Sequence, residues 1–463
     1  MKVLSKRIAL VGLCLAGTLG ASAEETSGVI CRVEMDNSVV YAGSSQRAVV
    51  KVTLDAPKAL RKETRPPVNL TIVLDRSGSM SGSKIEKACD AAIAALRRLG
   101  PEDMFSLVTY DHEVKTVVPS QSAANSEWIE GQIRSIRSGG NTALFAGVSQ
   151  GASEARKHLD GRYVNRILLL SDGLANVGPS SPAELGRLGT ALSKEGISVT
   201  TIGVGTDYNE DLMALIAQNS DGNTYFVESS VDLPRIFNEE LGDVLSVVAS
   251  KVTIEVKFPK DVRPLRIIGR DGRVGEDHVE LSLNQLYGGQ EKYALIEVEL
   301  SAGAEGEERK VADARCSYQD MIENRQASSE GNATVRFTGS KEEVAVGWNI
   351  AVNNSVYLNG KAEAQDQAIY YADNADYDKA AEVLFINAER LKKYAELNDQ
   401  MQLMDEAEEL EQQATQIQRE QQMAPSTRKG MRSSNHEVYN QQRALPPADE
   451  GLAIPPMNEE VED

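Results

Sequence analysis

Basic residues are in short supply in this chain: 49 Lys and Arg stand against 69 Asp and Glu in 463 residues, for a net charge of −20. That balance repels nucleic acid and anionic membrane surfaces, and it favours a cation or a basic surface as partner. Histidine is scarcer still. His112, His158, His278 and His436 are scattered, and no His-Glu-x-x-His zinc motif occurs. A Gly-x-Ser-x-Gly elbow is absent too, and the glycine-rich "SGSMSG" lacks the Lys-Ser or Lys-Thr of a phosphate loop. With no base and nucleophile grouped together, the chain reads as non-enzymatic; His112, in "YDHEV", reads as part of a solvated hairpin turn. Long apolar runs are missing as well. After the first residues, none approaches the roughly 18 needed to span a bilayer.

The start, "MKVLSKRIALVGLCLAGTLGASA", combines a basic beginning, an apolar stretch and a small-residue end, and reads as a secretory signal over 1–23. The mature chain is then expected in the periplasm or outside the cell, with no transmembrane segment after cleavage. Cys14 follows Leu13, where a lipoprotein signal wants a small side chain, so lipidation is rejected. Export leaves Cys31, Cys89 and Cys316, an odd number that cannot all pair within one chain. Cys89 reads as a small buried hydrophobe on a helix; a Cys31 to Cys316 bridge has no support from spacing and stays open.

The length favours several domains. From Val68 to about Leu245, apolar runs such as "VNLTIVLD", "MFSLVTYD", "NRILLLSD" and "ISVTTIGVG" alternate with helical patterns near 83–99, 126–136, 142–159, 182–195, 209–219 and 231–247. This is the pattern of an α/β unit, a doubly wound, mostly parallel sheet with helices on both faces, assigned to 67–248. Its flanks, 24–66 and 249–357, alternate apolar and polar residues with a period of two, which predicts antiparallel β. The economical arrangement is one β-sandwich shared by both flanks, with the α/β unit inserted between them. Residues 360–420 read as a helical hairpin or three-helix region broken at "ADYDK", in which Val383, Leu384, Ile386, Leu391 and Tyr394 are core. The Pro-, Ser- and amide-rich stretch 421–463 reads as a disordered tail.

A doubly wound sheet binds its ligand outside the carboxyl ends of its strands, where strand order reverses. Two strands stop at an acid, Asp75 in "NLTIVLD" and Asp172 in "RILLLSD". Between the first of these and the next helix stand Ser77 and Ser79, in "LDRSGSMSGSKIE", with "SKIE" matching a capping box of Ser83 and Glu86. On their own the serines read first as turn and cap chemistry. Position changes the reading. Asp75, Ser77 and Ser79, then Thr142 in "GGNTALFAGV", then Asp172 in "LLLSDG" together resemble the metal-ion-dependent adhesion site of von Willebrand factor A domains, over roughly residues 68–247. Thr142 as a helix cap is the bland alternative.

The resemblance implies a divalent cation, magnesium first, with manganese or calcium as alternatives. It implies that Ser77, Ser79 and Thr142 touch the ion through hydroxyls while Asp75 and Asp172 act largely through water. An ion without direct protein carboxylates stays electrophilic, and the implied partner is a protein presenting an Asp or Glu. Arg76, at the free position of the motif, is expected on solvated surface with its guanidinium away from the ion, the alternative being a contact with the partner's acid. The order of β, A domain and β is similar to inter-alpha-trypsin inhibitor heavy chains and exported bacterial A-domain proteins. The competing expectation is an envelope scaffold in which the helical region or tail binds partners and the metal only stabilises a loop.

Overall fold

The computed structural model describes residues 28–58, 65–159, 161–173, 177–179 and 181–442. The secretory signal read at 1–23 lies outside them. The chain begins with β1 (Ile30–Met35), β2 (Val39–Tyr41) and β3 (Gln46–Asp55), the last buried from Ala48 to Leu54. It then enters an α/β unit: β4 (Val68–Asp75), α1 (Ser83–Arg98), β5 (Met104–Tyr110), β6 (Val114–Ser122), α2 (Ser126–Arg134), α3 (Leu144–Ala155), β7 (Val164–Ser171), α4 (Pro182–Lys194), β8 (Ile197–Val204), α5 (Glu210–Ser220), β9 (Thr224–Val227) and α6 (Leu233–Val244).

The six strands lie in the order β6-β5-β4-β7-β8-β9, parallel except for β6. Every residue of β4, β7 and β8 is buried, as apolar runs sandwiched between helix layers require. One layer packs α1, α2 and α6 against Leu70, Ile72 and Leu74; the other packs α3, α4 and α5 against Val73, Val108 and Ile167. The chain runs outward from β4 through β5 to β6 and then returns to the other side of β4 with β7, so strand order reverses between β4 and β7.

The antiparallel strands β10 (Val247–Lys257), β11 (Val262–Ile268), β12 (Arg273–Val274), β13 (His278–Tyr287), β14 (Glu291–Leu300), β15 (Glu308–Asp320) and β16 (Arg325–Thr338) come next. Sheets β1-β3-β14-β11 and β12-β13-β10-β15-β16-β2 enclose one core that includes Val50, Val52, Ile254, Ile296 and Phe337. β3 pairs with β14 along its whole length, from Gln46 opposite Leu300 to Asp55 opposite Glu291. The α/β unit therefore leaves the sandwich and returns to it. A buried ion pair joins the two: Arg166 on β7 lies 3.0 Å from Glu240 on α6 and donates to Gln285 and Tyr287 of β13, each at 2.6 Å.

Cys31 and Cys316 are free and buried in the sandwich, and Cys89 is free and half-buried against the α1 layer. Burial pushes the Cys31 thiol up to about 11 and that of Cys316 to about 12, which leaves little thiolate at neutral pH.

After α7 (Lys341–Val346) come four helices, α8 (Ile350–Asp373), α9 (Tyr377–Leu397), α10 (Met401–Glu420) and α11 (Pro425–Asn440). The first break falls at "ADYDK", where Ala375 has φ 57 and the Asp376 side chain caps α9 by accepting from the Lys379 amide. Leu384, Leu391 and Tyr394 are core, whereas Ile386 is exposed.

Two expectations are corrected by this architecture. The β segment does not run to 357: β16 ends at Thr338 and α8 starts at Ile350, capped by Asn349. Ala368 and Ile369 of α8 join the core of the helical region, but the face that its first half turns to the sandwich is largely polar. Asn353 donates to the Asp36 carbonyl, Ser355 accepts from Lys51, and Asn359 donates to the Tyr293 hydroxyl, so no apolar stripe marks the helix in the sequence. The stretch after 420 is not disordered throughout. In α11, Lys429, Ser433, Asn435, His436 and Asn440 are buried, against partners supplied mainly by other elements. Arg428 meets Glu210, Asp211 and Asp373; Lys429 meets Glu210 and the Tyr208 carbonyl; Arg432 meets Asp211 and Asp366. Gln442 hydrogen-bonds both backbone groups of Thr224 and so caps the edge strand β9. The rest of the expected tail, from 443, lies outside the described residues. Among the described residues, no helix is long and apolar enough to cross a membrane.

Candidate metal centre

β4 and β7 deliver Asp75 and Asp172 to the reversal point, both with no exposed surface. The turn after Asp75 brings the serines back over the strand ends. The Ser77 amide donates to Asp75 Oδ1 at 2.8 Å, Ser77 Oγ lies 3.0 Å from Ser79 Oγ, and Ser79 Oγ donates to Asp172 Oδ1 at 2.7 Å. Hydroxyls and carboxylates thus form one continuous chain between the two strands.

Thr142 arrives from the loop before α3 and is 3 % exposed. Gly173 shows how near it is: a Cβ there would stand 3.2 Å from Thr142 Oγ1 and 3.5 Å from Ser79 Oγ. A side chain at 173 would fill the space these hydroxyls face. All five residues singled out in the sequence therefore converge on the end of the sheet.

Backbone hydrogen bonds tie the loops together. Gly78 donates to the Gly140 carbonyl, Gly139 to that of Arg76, and Ala143 to that of Asp111. Gly140 has φ +83, and a Cβ there would strike His112 Nδ1 at 2.3 Å, so only glycine permits this approach.

Asp75 is held above the usual carboxylate range, chiefly by burial and further by the negative charge of Asp172. Hydrogen bonds from Ser77 and Ser171 oppose the rise. Ser171 Oγ donates to Asp75 Oδ2 at 2.8 Å, so both Asp75 oxygens have a donor. Beneath them Tyr110 donates to the Leu170 carbonyl at 3.1 Å, and burial together with Asp75 raises its phenol well above the ordinary value.

Two details of the sequence reading change. Ser83 and Glu86 form no capping box. Gly82 is the N-cap of α1, with φ 73 and no side-chain bond, and Ser83 is already helical. Arg76 is half-buried rather than free on the surface: its guanidinium lies 2.8 Å from buried Asp111, whose carbonyl accepts from Ala143 in the loop that carries Thr142.

The sequence reading also passed over Lys84 and Ser171. Lys84 Nζ lies 2.5 Å from Asp172 Oδ2. The available signals were local, a hydroxyl next to Asp172 and a lysine in the first turn after the serine motif.

The donors are all hard oxygens from two carboxylates and three hydroxyls, a set suited to magnesium, manganese or calcium rather than to softer ions. Among the described residues, no group of three or more His, Cys, Asp or Glu side chains is arranged to hold a metal.

Comparison with known proteins agrees with the fold. The family model for the von Willebrand factor type A domain matches residues 69–239. An uncharacterised protein of Synechocystis sp. is 33 % identical over 184 residues, 40 % of this chain and 43 % of the relative. Inter-alpha-trypsin inhibitor heavy chain H4 of Homo sapiens is 27 % identical over 236 residues, 49 % of this chain and 25 % of the relative. The chain thus spans less than half the length of these relatives. Among solved structures, a von Willebrand factor type A protein from Catenulispora acidiphila superposes with a TM-score of 0.65 at 17 % identity, covering 81 % of this chain and 89 % of that one. The sheet order, the helix layers and the family match together identify the α/β unit of this chain as a von Willebrand factor type A domain.

Proposed function

We propose that Asp75, Ser77, Ser79, Thr142 and Asp172 hold a divalent cation, magnesium in the first place and manganese or calcium as alternatives. The site then serves as a non-enzymatic docking point for an Asp or Glu of a protein partner in the periplasm or outside the cell. The observation that carries this reading is the hydrogen-bonded chain from Ser77 through Ser79 to Asp172 across the strand reversal. Domains of this family are commonly metal-dependent protein-interaction modules, which supports the coarse reading.

When bound, such an ion offers a Lewis-acidic position to an incoming carboxylate oxygen. The chain's own residues prepare that position. Ser77, Ser79 and Thr142 present neutral oxygens, which hold a cation without cancelling its charge. Asp75 is oriented from both sides by the Ser77 amide and the Ser171 hydroxyl, and Asp172 by Ser79. The bracing of the Thr142 loop by Arg76 and Asp111 keeps the third hydroxyl in place.

The test is a pull-down from envelope extract with the full chain, with and without chelator, comparing wild type with Ser77→Ala and Asp75→Ala. Capture of a partner that chelator and both substitutions remove is the expected result. Capture that survives all three overturns the reading and favours a second one, a scaffold that binds through its helical region, where Tyr370, Leu397 and Met401 are exposed.

A further inference from the structure

Lys84 is a charged group at the sheet end that the proposed metal chemistry does not require. It is the second residue of α1, and its side chain turns back over the strand ends, 30 % exposed, to reach Asp172, which has no exposed surface. Its ammonium takes Oδ2 at 2.5 Å while Ser79 takes Oδ1 at 2.7 Å, so both oxygens of Asp172 are engaged by the protein's own donors. A Cβ on Gly205, just past β8, would lie 3.9 Å from Nζ, so the ammonium sits in the mouth of the crevice.

The balance of charge gives this ammonium a consequence for binding. Asp75 and Asp172 bring two negative charges and Lys84 one positive; the Arg76–Asp111 pair beside them is neutral as a unit. A divalent ion held there leaves the site at plus one, and one partner carboxylate brings it to zero. Without Lys84, the ion alone reaches zero, and little net attraction for a carboxylate remains. An ammonium this close to an incoming cation also repels it, since like charges a few ångströms apart interact strongly where water is largely excluded.

We propose that Lys84 is a built-in counter-ion of Asp172 that weakens binding of the divalent ion alone and leaves the loaded site with the net positive charge that draws a partner carboxylate. This rests on the metal reading above. In the ion-free protein Lys84 offsets the charge of a buried carboxylate. In the loaded protein it leaves the positive charge that an acidic partner neutralises, so a carboxylate binds the loaded site more tightly with Lys84 than without it.

The test is manganese binding to the full chain, read from the paramagnetic resonance signal of the free ion, with and without acetate as carboxylate probe. The proteins compared are wild type, Lys84→Met, Lys84→Arg and Ser77→Ala. Lys84→Met should bind manganese about tenfold more tightly than wild type and lose the tightening that acetate gives, on the scale of one like charge nearby. Lys84→Arg, which keeps the charge, should behave as wild type. In chelator, Lys84→Met should melt at a lower temperature than wild type, because Asp172 has lost its counter-ion, and manganese should restore more stability to it.

Manganese binding that Ser77→Ala abolishes but Lys84→Met leaves unchanged or weakens overturns this inference and leaves the metal reading standing. Absence of binding in both wild type and Lys84→Met overturns both. Binding in Lys84→Met alone supports the inference, the lysine then being the site's resident cation.

Discussion

Strand β7 carries a cation near its beginning and an anion just past its end, and the two are treated in opposite ways. Arg166 is fully buried, and its guanidinium meets Thr200, Glu240, Gln285 and Tyr287, groups drawn from three further elements. Asp172, roughly 20 Å away at about 3.3 Å per residue, meets a serine hydroxyl and a lysine at the crevice mouth. Both ends have buried charge. At one end the protein supplies partners for both terminal nitrogens of the guanidinium, Nε alone being left without one, and the charge locks two units together; at the other, two carboxylates share one ammonium, and the deficit of positive charge is what the proposed ligand would use. A buried charge is thus read by asking how far the chain itself compensates it.

The comparison can be broken most forcefully at Arg166. Arg166→Met leaves Glu240 buried without its partner and should cost about 3–5 kcal/mol, read by denaturant unfolding of the full chain. A loss below about 1 kcal/mol, typical of a surface pair, would refute the idea of a lock.

Next in size is the acid sensitivity of α11. His436 is buried against the Gly222 carbonyl, and its imidazole is lowered to about 4, first by desolvation and then by Arg270 and Lys292, with the Gly222 bond and Asp221 opposing. A folded value below the unfolded 6.5 means that the unfolded chain binds the proton more readily. His436 therefore contributes stability above about pH 6.5 that is lost as the pH falls toward about 4, at most about 3 kcal/mol. The neighbouring Glu437 works the other way: burial and Glu406 raise it to about 7, so its contribution is present below about 4.5 and lost as the pH rises through 7. The protection factors of the α11 amides, corrected for the intrinsic pH dependence of exchange, should fall below about pH 6 in wild type, and His436→Asn should flatten that limb while leaving the neutral limb in place. An unchanged acid limb would remove His436 from the account.

At the other end of the sheet the effects on stability should be small and those on binding large. Ser77→Ala should abolish manganese binding while moving the unfolding free energy by about 1 kcal/mol or less, the net worth of one hydrogen bond. If it unfolds the protein instead, the serine is structural and the contrast fails. The mildest change is Gly173→Ala, which places a methyl 3.2 Å from Thr142 Oγ1; it should weaken cation binding severalfold with the fold retained, as calorimetric titration would show.

The legible parts of the molecule were those in which apolar periodicity or residue type answers to a local cause. The buried runs of β4, β7 and β8 are apolar on both faces, and the strands of the sandwich alternate, so both architectures could be read directly. The candidate site was legible because its two acids stand at strand ends, its hydroxyls stand in the loops beside them, and their types are chemically restrictive. What escaped the reading has a common cause. The faces that α8 and α11 turn to the other two units are largely polar, satisfied by Lys51, Asp36 and Tyr293 on the sandwich and by Glu210, Asp211 and Gly222 on the A domain. No pattern within either helix announces a partner so distant along the chain.

Sequence alone determined the two kinds of sheet, the place where the inner strands stop, and the chemical character of the side chains waiting there, because each depends on residue type and spacing over a few positions. Tertiary structure decided which charges are compensated. Lys84 becomes the partner of Asp172, Arg76 that of Asp111 and Arg166 that of Glu240 only once the strand order is set, because electrostatic pairing depends on distance in space, and residues 88 positions apart in the chain come within 2.5 Å only through the fold.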